Sequence, residues 1–131
     1  MGSLGSSVPQ FTLIEAASGR LLEGAIGQPI VRRIDDAGVL VEACMSSRAH
    51  RVLLHPENLT DRFFDLSSGE AGAILQKLRN YRIRLALVCR ADVRFSSRFA
   101  EMVAEEERGD HFRVFHSSSV ARDWLSGLDQ P

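Results

Sequence analysis

Three ionisable side chains flank one short stretch of the chain. His55, Glu57 and Asp65 border the segment HPENLTDRFFDL, and an imidazole with two carboxylates is a sufficient set for proton transfer. Nothing in their spacing demands convergence, and a solvated loop is the favoured account of them. Just downstream, Ser67-Ser68-Gly69-Glu70 opens a helical pattern with Gly72 in its first turn. Bare backbone at Gly69 and Gly72, free N–H groups and the helix dipole would favour an anion there. Ser67 and Glu70 also have capping-box spacing, in which the hydroxyl caps the first turn and the carboxylate reaches back. Both can therefore be purely structural. Gly72 inside a helix costs about 1 kcal/mol relative to Ala, which points to close packing on the sheet or to a ligand's approach. Of the adjacent aromatics Phe63 and Phe64, one is expected inside and one outside, the outer ring being a candidate contact for a partner.

Other constellations fail on spacing. His50, His55, His111 and His116 make no HExxH pattern and no nearby ligand pair, so no metal is expected. His111 and His116 have opposite parity along one extended stretch and would point to opposite faces. Cys44 and Cys89 sit in apolar runs without a CxxC spacing, as small hydrophobes do in a reducing compartment. No GxSxG elbow, P-loop or GxGxxG is present, so no cofactor is expected. Glu101, Glu105, Glu106 and Glu107 read as the solvated face of a helix. Arg79, Arg82, Arg84, Arg90, Arg94 and Arg98 form a candidate basic edge, but they cross three elements and need not form one patch.

Composition bounds the rest. A chain of 131 residues suits one domain and can bury a core without staples. Sixteen basic residues against seventeen acidic ones leave a net charge of −1, which argues against electrostatic capture of nucleic acid or an acidic membrane. All the basic residues but Lys77 are arginine, as a GC-rich coding sequence would give. The opening MGSLGSSVPQ has neither the basic nor the apolar region of a signal peptide. No apolar stretch reaches the ~20 residues of a membrane span. A cytoplasmic protein is expected, with a loose tail over residues 1–8 and a single domain over 9–128.

The elements that must position these residues follow from periodicity and caps. Gln10 to Ala16 and Leu21 to Glu23 read as a hairpin about the Ser18-Gly19-Arg20 turn. Asp35 or Asp36 caps a helix to about Ser47, with Leu40, Ala43 and Cys44 on one face. Arg51 to His55 is a buried strand stopped by Pro56. Residues 56–66 form a loop with room for one helical turn, and the helix opened at Ser67 runs to about Asn80 through Ala71, Ile74, Leu75 and Leu78. Arg82 to Cys89 is apolar enough for a parallel strand covered on both faces. Ser96 or Ser97 caps a helix with Phe99, Met102 and Val103 inward and Gly109 at its end. Phe112 to His116 is the last strand. Ser117 or Ser118 then caps a helix carrying Val120, Trp124 and Leu128. The order β-β-α-β-α-β-α-β-α predicts an α/β domain with a mostly parallel sheet of four or five strands and helices packed against it.

Two resemblances follow from the central segment. His55-Pro56-Glu57-Asn58-Leu59, Phe63-Phe64-Asp65-Leu66, Ala71 to Leu78, Asn80-Tyr81-Arg82 and Leu85-Ala86-Leu87-Val88 resemble the HEENL, FFDL and AGEILQKFxNYRxxLAIV stretches of a family of small bacterial proteins known as a domain of unknown function. That resemblance implies a fold and no activity, and brings Asn58 into the set of candidate residues. Asp65 to Gly72 also resembles the Asp-Ser-Ser-Gly-x-Gly turn of STAS domains, the anti-sigma-factor antagonists. The likeness implies a phosphorylated serine at the position of Ser68 and a protein complex broken by the modification. Leu66 after the Asp, and two residues between the glycines, depart from that pattern.

The leading expectation is thus a non-enzymatic, STAS-like regulatory or interaction module. Its switch surface would be Asp65, Ser67, Ser68, Gly69 and Gly72, and its partner another protein or a second copy of the chain. A carrier of a small anionic or apolar ligand at the same helix start is the alternative. An enzyme built on His55, Glu57 and Asp65 comes last.

Overall fold

The structure is a computed structural model that describes residues 11–16, 19–32, 34–59, 61–65, 69–90 and 95–127. Within them, five strands form: β1 (Phe11–Ala16), β2 (Gly19–Gly24), β3 (Arg51–Leu54), β4 (Arg84–Val88) and β5 (Phe112–Phe115). The helices are α1 (Ala37–Ser47), α2 (Asp61–Phe64), α3 (Glu70–Asn80), α4 (Ser97–Glu106) and α5 (Ser118–Gly127). Short 3-10 turns occupy Ile34–Asp36 and Pro56–Asn58. The alternation read from the sequence holds, and α2 is the helical turn of the loop after β3.

The strands make one sheet in the order β1-β2-β3-β4-β5. β1 and β2 are an antiparallel hairpin, and the remaining neighbours are parallel. Spatial order follows chain order, so successive right-handed crossovers carry their helices to the same side. On that side Leu40, Cys44, Ile74, Leu78, Phe99 and Val103 from α1, α3 and α4 share a core with Leu22, Val52, Leu54, Leu85 and Leu87. On the other side α5 brings Ala121 and Leu125 onto Leu21, Leu53 and Ala86. All four residues of β3 are buried, and Leu85, Ala86 and Leu87 of β4 face the two cores alternately. A run too apolar for a half-exposed strand has found cover on both faces.

Caps behave unevenly. The Ser96 Oγ accepts the Phe99 N–H at 3.1 Å and starts α4. The capping box expected at Ser67 and Glu70 does not position Glu70, which is the first residue of α3 and not its third. The N-cap is Gly69, in the left-handed region at φ 76°, with no side-chain cap. The Glu70 carboxylate instead accepts from Arg62 Nε of α2 at 2.6 Å. A charged donor close by outcompetes a backbone N–H for that carboxylate.

Other expectations are corrected by packing. Phe63 is 1% exposed and Phe64 packs against the core. With Phe95 and Phe99 they form one ring cluster, with Phe63–Phe64 centroids 5.4 Å and Phe95–Phe99 centroids 4.8 Å apart. Phe63 thus presents no surface to a partner. On α5 the inward residues are Ala121 and Leu125, while Val120 is exposed. The expected tail, Ser67, Ser68 and Leu128 lie outside the described residues. Of the acidic run on α4, Glu106 pairs with Arg79, and Glu107 beyond the helix accepts the Val114 N–H at 3.1 Å. Neither belongs to a free solvated face.

Gly72 is exposed, and a Cβ built on it would meet nothing within 4 Å. Close packing on the sheet does not explain it. Gly72→Ala should therefore raise stability by about 1 kcal/mol through helix propensity alone. A thermal melt will show this as a higher midpoint, and a lower one would reveal a contact at that position.

Candidate functional site

Three consecutive parallel strands end on residues with chemical character. His55 follows β3, Cys89 follows β4, and His116 follows β5. All three line one open cleft of about 500 Å³ at the carboxyl edge of the sheet. Open α/β sheets present ligand sites at this edge, because the loops there splay apart while the strands hold their ends in register. Glu57 and Arg90 add charge to the rim, and Pro56, Val88 and Ile26 give it an apolar wall. Ile26 is 74% exposed, an unusual place for a branched hydrophobe.

The loops around the cleft are held by one buried amide. Asn58 is fully buried. Its Oδ1 accepts the His55 N–H at 2.7 Å, and its Nδ2 donates to the carbonyls of Ala25 at 2.8 Å and Gln28 at 2.7 Å. The Asn58 carbonyl in turn accepts the N–H groups of Ile30 at 3.0 Å and Val31 at 2.9 Å. The loop after β2 is thereby tied to the loop after β3. Gly24 makes this possible, since a Cβ there would lie 2.4 Å from Asn58 Oδ1. Asn58→Ala strands an N–H and two carbonyls and should cost about 3 kcal/mol in a denaturant titration. Gly24→Ala should destabilise as well, by driving the same amide out of place.

A second cluster fixes His55 from below. Glu23, on the α5 side of β2, accepts from His55 Nε2 at 3.0 Å and from Arg122 Nη2 at 2.6 Å and Nε at 3.1 Å. The His55 and Glu23 side chains are only 9% and 12% exposed. A carboxylate can only accept, so Nε2 of His55 carries a proton and is not a free base. Glu23 thus couples β2, the end of β3 and α5. His116 is oriented by its own contact, Nδ1 to the Cys89 carbonyl at 3.0 Å.

Cys89 faces the cleft but is poorly suited to nucleophilic work. Burial, and secondarily the negative charge of Glu57, push its thiol up to about 11. Burial alone pushes Cys44 in the core up to about 12. The thiolate is the reactive form, so neither sulfur is activated. Both folded values lie above the ordinary 9.0. Their contribution to stability is complete below that pH and is lost as pH rises through the folded values. The native chain should therefore resist iodoacetamide at pH 8 while the denatured chain takes up two labels, read by intact mass. Its denaturation midpoint should also fall above pH 9.

The structure brings together only part of the residue set read from the sequence. His55 and Glu57 share the cleft, and Asn58 supports it from beneath. Asp65 is exposed after α2 and does not line it. Gly69 at the N-cap of α3 and Gly72 within α3 do not line it either. Sequence reasoning missed Glu23, Ile26, Arg90, Arg122 and His116 as site residues, and took Cys89 as a small core hydrophobe. A usable signal existed at Glu23, which shares strand parity with the buried Leu21 and so points inward. Among the described residues, no group of three His, Cys, Asp or Glu could hold a metal ion, and no helix is long and apolar enough to cross a membrane.

A family model matches residues 17–125, and its description is that of a domain of unknown function. The match contains every residue of the cleft. No curated protein and no solved structure matches the chain.

Proposed function

The chain belongs to that family, DUF4180, and from the geometry of its cleft we propose a non-catalytic module that binds a small molecule with an anionic head and an apolar body. The observation that carries this reading is the convergence of His55, Cys89 and His116, each the first residue after a parallel strand, on one cleft. The Arg90 guanidinium offers charge to the head beside the His116 ring, and Ile26, Pro56 and Val88 offer a surface to the body. Binding is favoured over thiol catalysis because burial pushes the Cys89 thiol up to about 11. Titration of the full chain with straight-chain carboxylates of increasing length, followed by the histidine ring resonances, tests it. Saturable shifts at His116, tightening with chain length and weakened at least tenfold by Ile26→Glu, are expected. No saturable shift with any carboxylate would overturn the reading.

A second reading is a STAS-like regulatory module with a phospho-switch on the Asp65–Gly72 turn, acting on a protein partner or a second copy of the chain. It is favoured by the open start of α3, where Gly69 provides no side-chain cap and Asp65 and Gly72 are exposed. A phosphate is a charge that a helix start of this kind can accept, and Ser67 and Ser68 precede it directly in the sequence. A partner recovered by pull-down would then be lost with Ser68→Glu and retained with Ile26→Glu, whereas the cleft reading expects carboxylate binding that Ser68→Glu leaves unchanged.

A further inference from the structure

The opposite edge of the same sheet, where the parallel strands begin, has a chemistry unlike that of the cleft. Arg20, Arg48, His50, Arg51, Arg82 and Arg84 line a depression of about 340 Å³ there, and among the described residues no acidic side chain lines it. The chain as a whole is almost neutral, so five guanidinium groups around one depression are a local concentration of charge.

The arginines reach this place by separate routes. Arg51 and Arg84 are register partners where β3 and β4 begin. Partnered residues of parallel strands project to the same face, so two like charges stand side by side, an arrangement that destabilises a sheet in isolation. Arg51 is nonetheless only 6% exposed. Its guanidinium packs under the hairpin, where a Cβ on Gly19 would come within 3.2 Å of Nη1. The Nε of Arg84 is buried with no hydrogen-bond partner among the described residues.

Arg48 caps the C-terminus of α1 and Arg82 follows the C-cap of α3, both in the left-handed region at φ 56° and 58°. Among the described residues, they are the non-glycine positions with positive φ. Helices commonly close on glycine at such positions, because a Cβ there is strained. Favourable interaction with a helix C-terminus explains a cation near each end. It does not explain why both strained cations line the depression that also holds the strand pair. Nor does α3 lack other cations, since Lys77 and Arg79 already occupy its last turn. Arg20 donates Nη1 to the Ser47 carbonyl at 3.1 Å, which fixes it at the rim beside the end of α1. Its acidic neighbour Glu15 is 3.7 Å away and largely exposed, a pairing worth little in water.

We propose that this arginine basin binds a multiply charged phosphate ligand, at a second site distinct from the cleft. Guanidinium forks match oxyanions two bonds at a time. Several negative charges in one ligand match several guanidinium groups around one depression. The volume lies at the small end of the range for ligand sites, as suits a phosphate chain or a phosphorylated metabolite rather than a large cofactor.

Calorimetric titration of the full chain with inorganic tripolyphosphate tests the proposal. The variant to compare carries Arg48→Gly and Arg82→Gly together, because glycine relieves the backbone at both positions and keeps the fold intact. Expected is one saturable site, weakened at least tenfold in the double variant and unchanged by His116→Ala in the cleft. The thermal midpoint of the double variant without ligand should be no lower than that of the parent chain. Absence of saturable binding would overturn the proposal, as would equal affinity in the double variant. Binding to long RNA without binding to tripolyphosphate would also overturn it, by assigning the charge to a macromolecular surface.

Discussion

A right-handed crossover between neighbouring parallel strands can place its helix on only one face of the sheet. Here β2 to β5 follow one another in space as they do in sequence, so α1, α3 and α4 are committed to the same side. The other side is left to α5, which comes after the final strand and is free of that constraint. A thick core and a thin one result. The thin one is secured at its edge by polar contacts, with Arg122 of α5 on Glu23 and Glu23 on His55. A residue of the cleft, His55, and the helix closing the second face are therefore held by the same carboxylate.

The two edges of the sheet differ because the loops at each end differ in origin. At the carboxyl edge the strands run out into the loops after β2, β3, β4 and β5, and side chains from these meet in the cleft. At the amino edge the chain arrives from helix C-termini, whose last carbonyls attract cations, and from the hairpin. Arginines accumulate at that edge, and histidines, a cysteine and a carboxylate gather at the other. One sheet thus presents two surfaces of different chemistry without a second domain.

Much of the architecture was legible because it rests on local signals. Ser96 announced α4, and the run from Leu85 to Val88 announced a strand buried on both faces. His55 followed from its place at a strand end. The candidate site was only partly legible, because its contacts are not local. Glu23 and Arg122 are 99 residues apart, and the pairing of Arg51 with Arg84 exists only once β3 and β4 are in register. The start of α3 misled for a related reason. Ser67 and Glu70 have the spacing of a capping box, but Arg62, brought close by the turn of α2, claims the carboxylate first. Gly72 misled more simply: an unusual residue was credited with a contact, and the position faces solvent.

The dependence of the second face on α5 has a consequence for the order of events during synthesis. Leu21, Leu53 and Ala86 leave the ribosome well before Ala121 and Leu125, the residues that cover them. Through that interval the nascent sheet presents an uncovered apolar face while its other face can already be closed by α1 and α3. Transiently exposed apolar surface of this kind is what chaperones engage and what drives misassembly of nascent chains. The last helix therefore sets when the emerging protein ceases to be sticky.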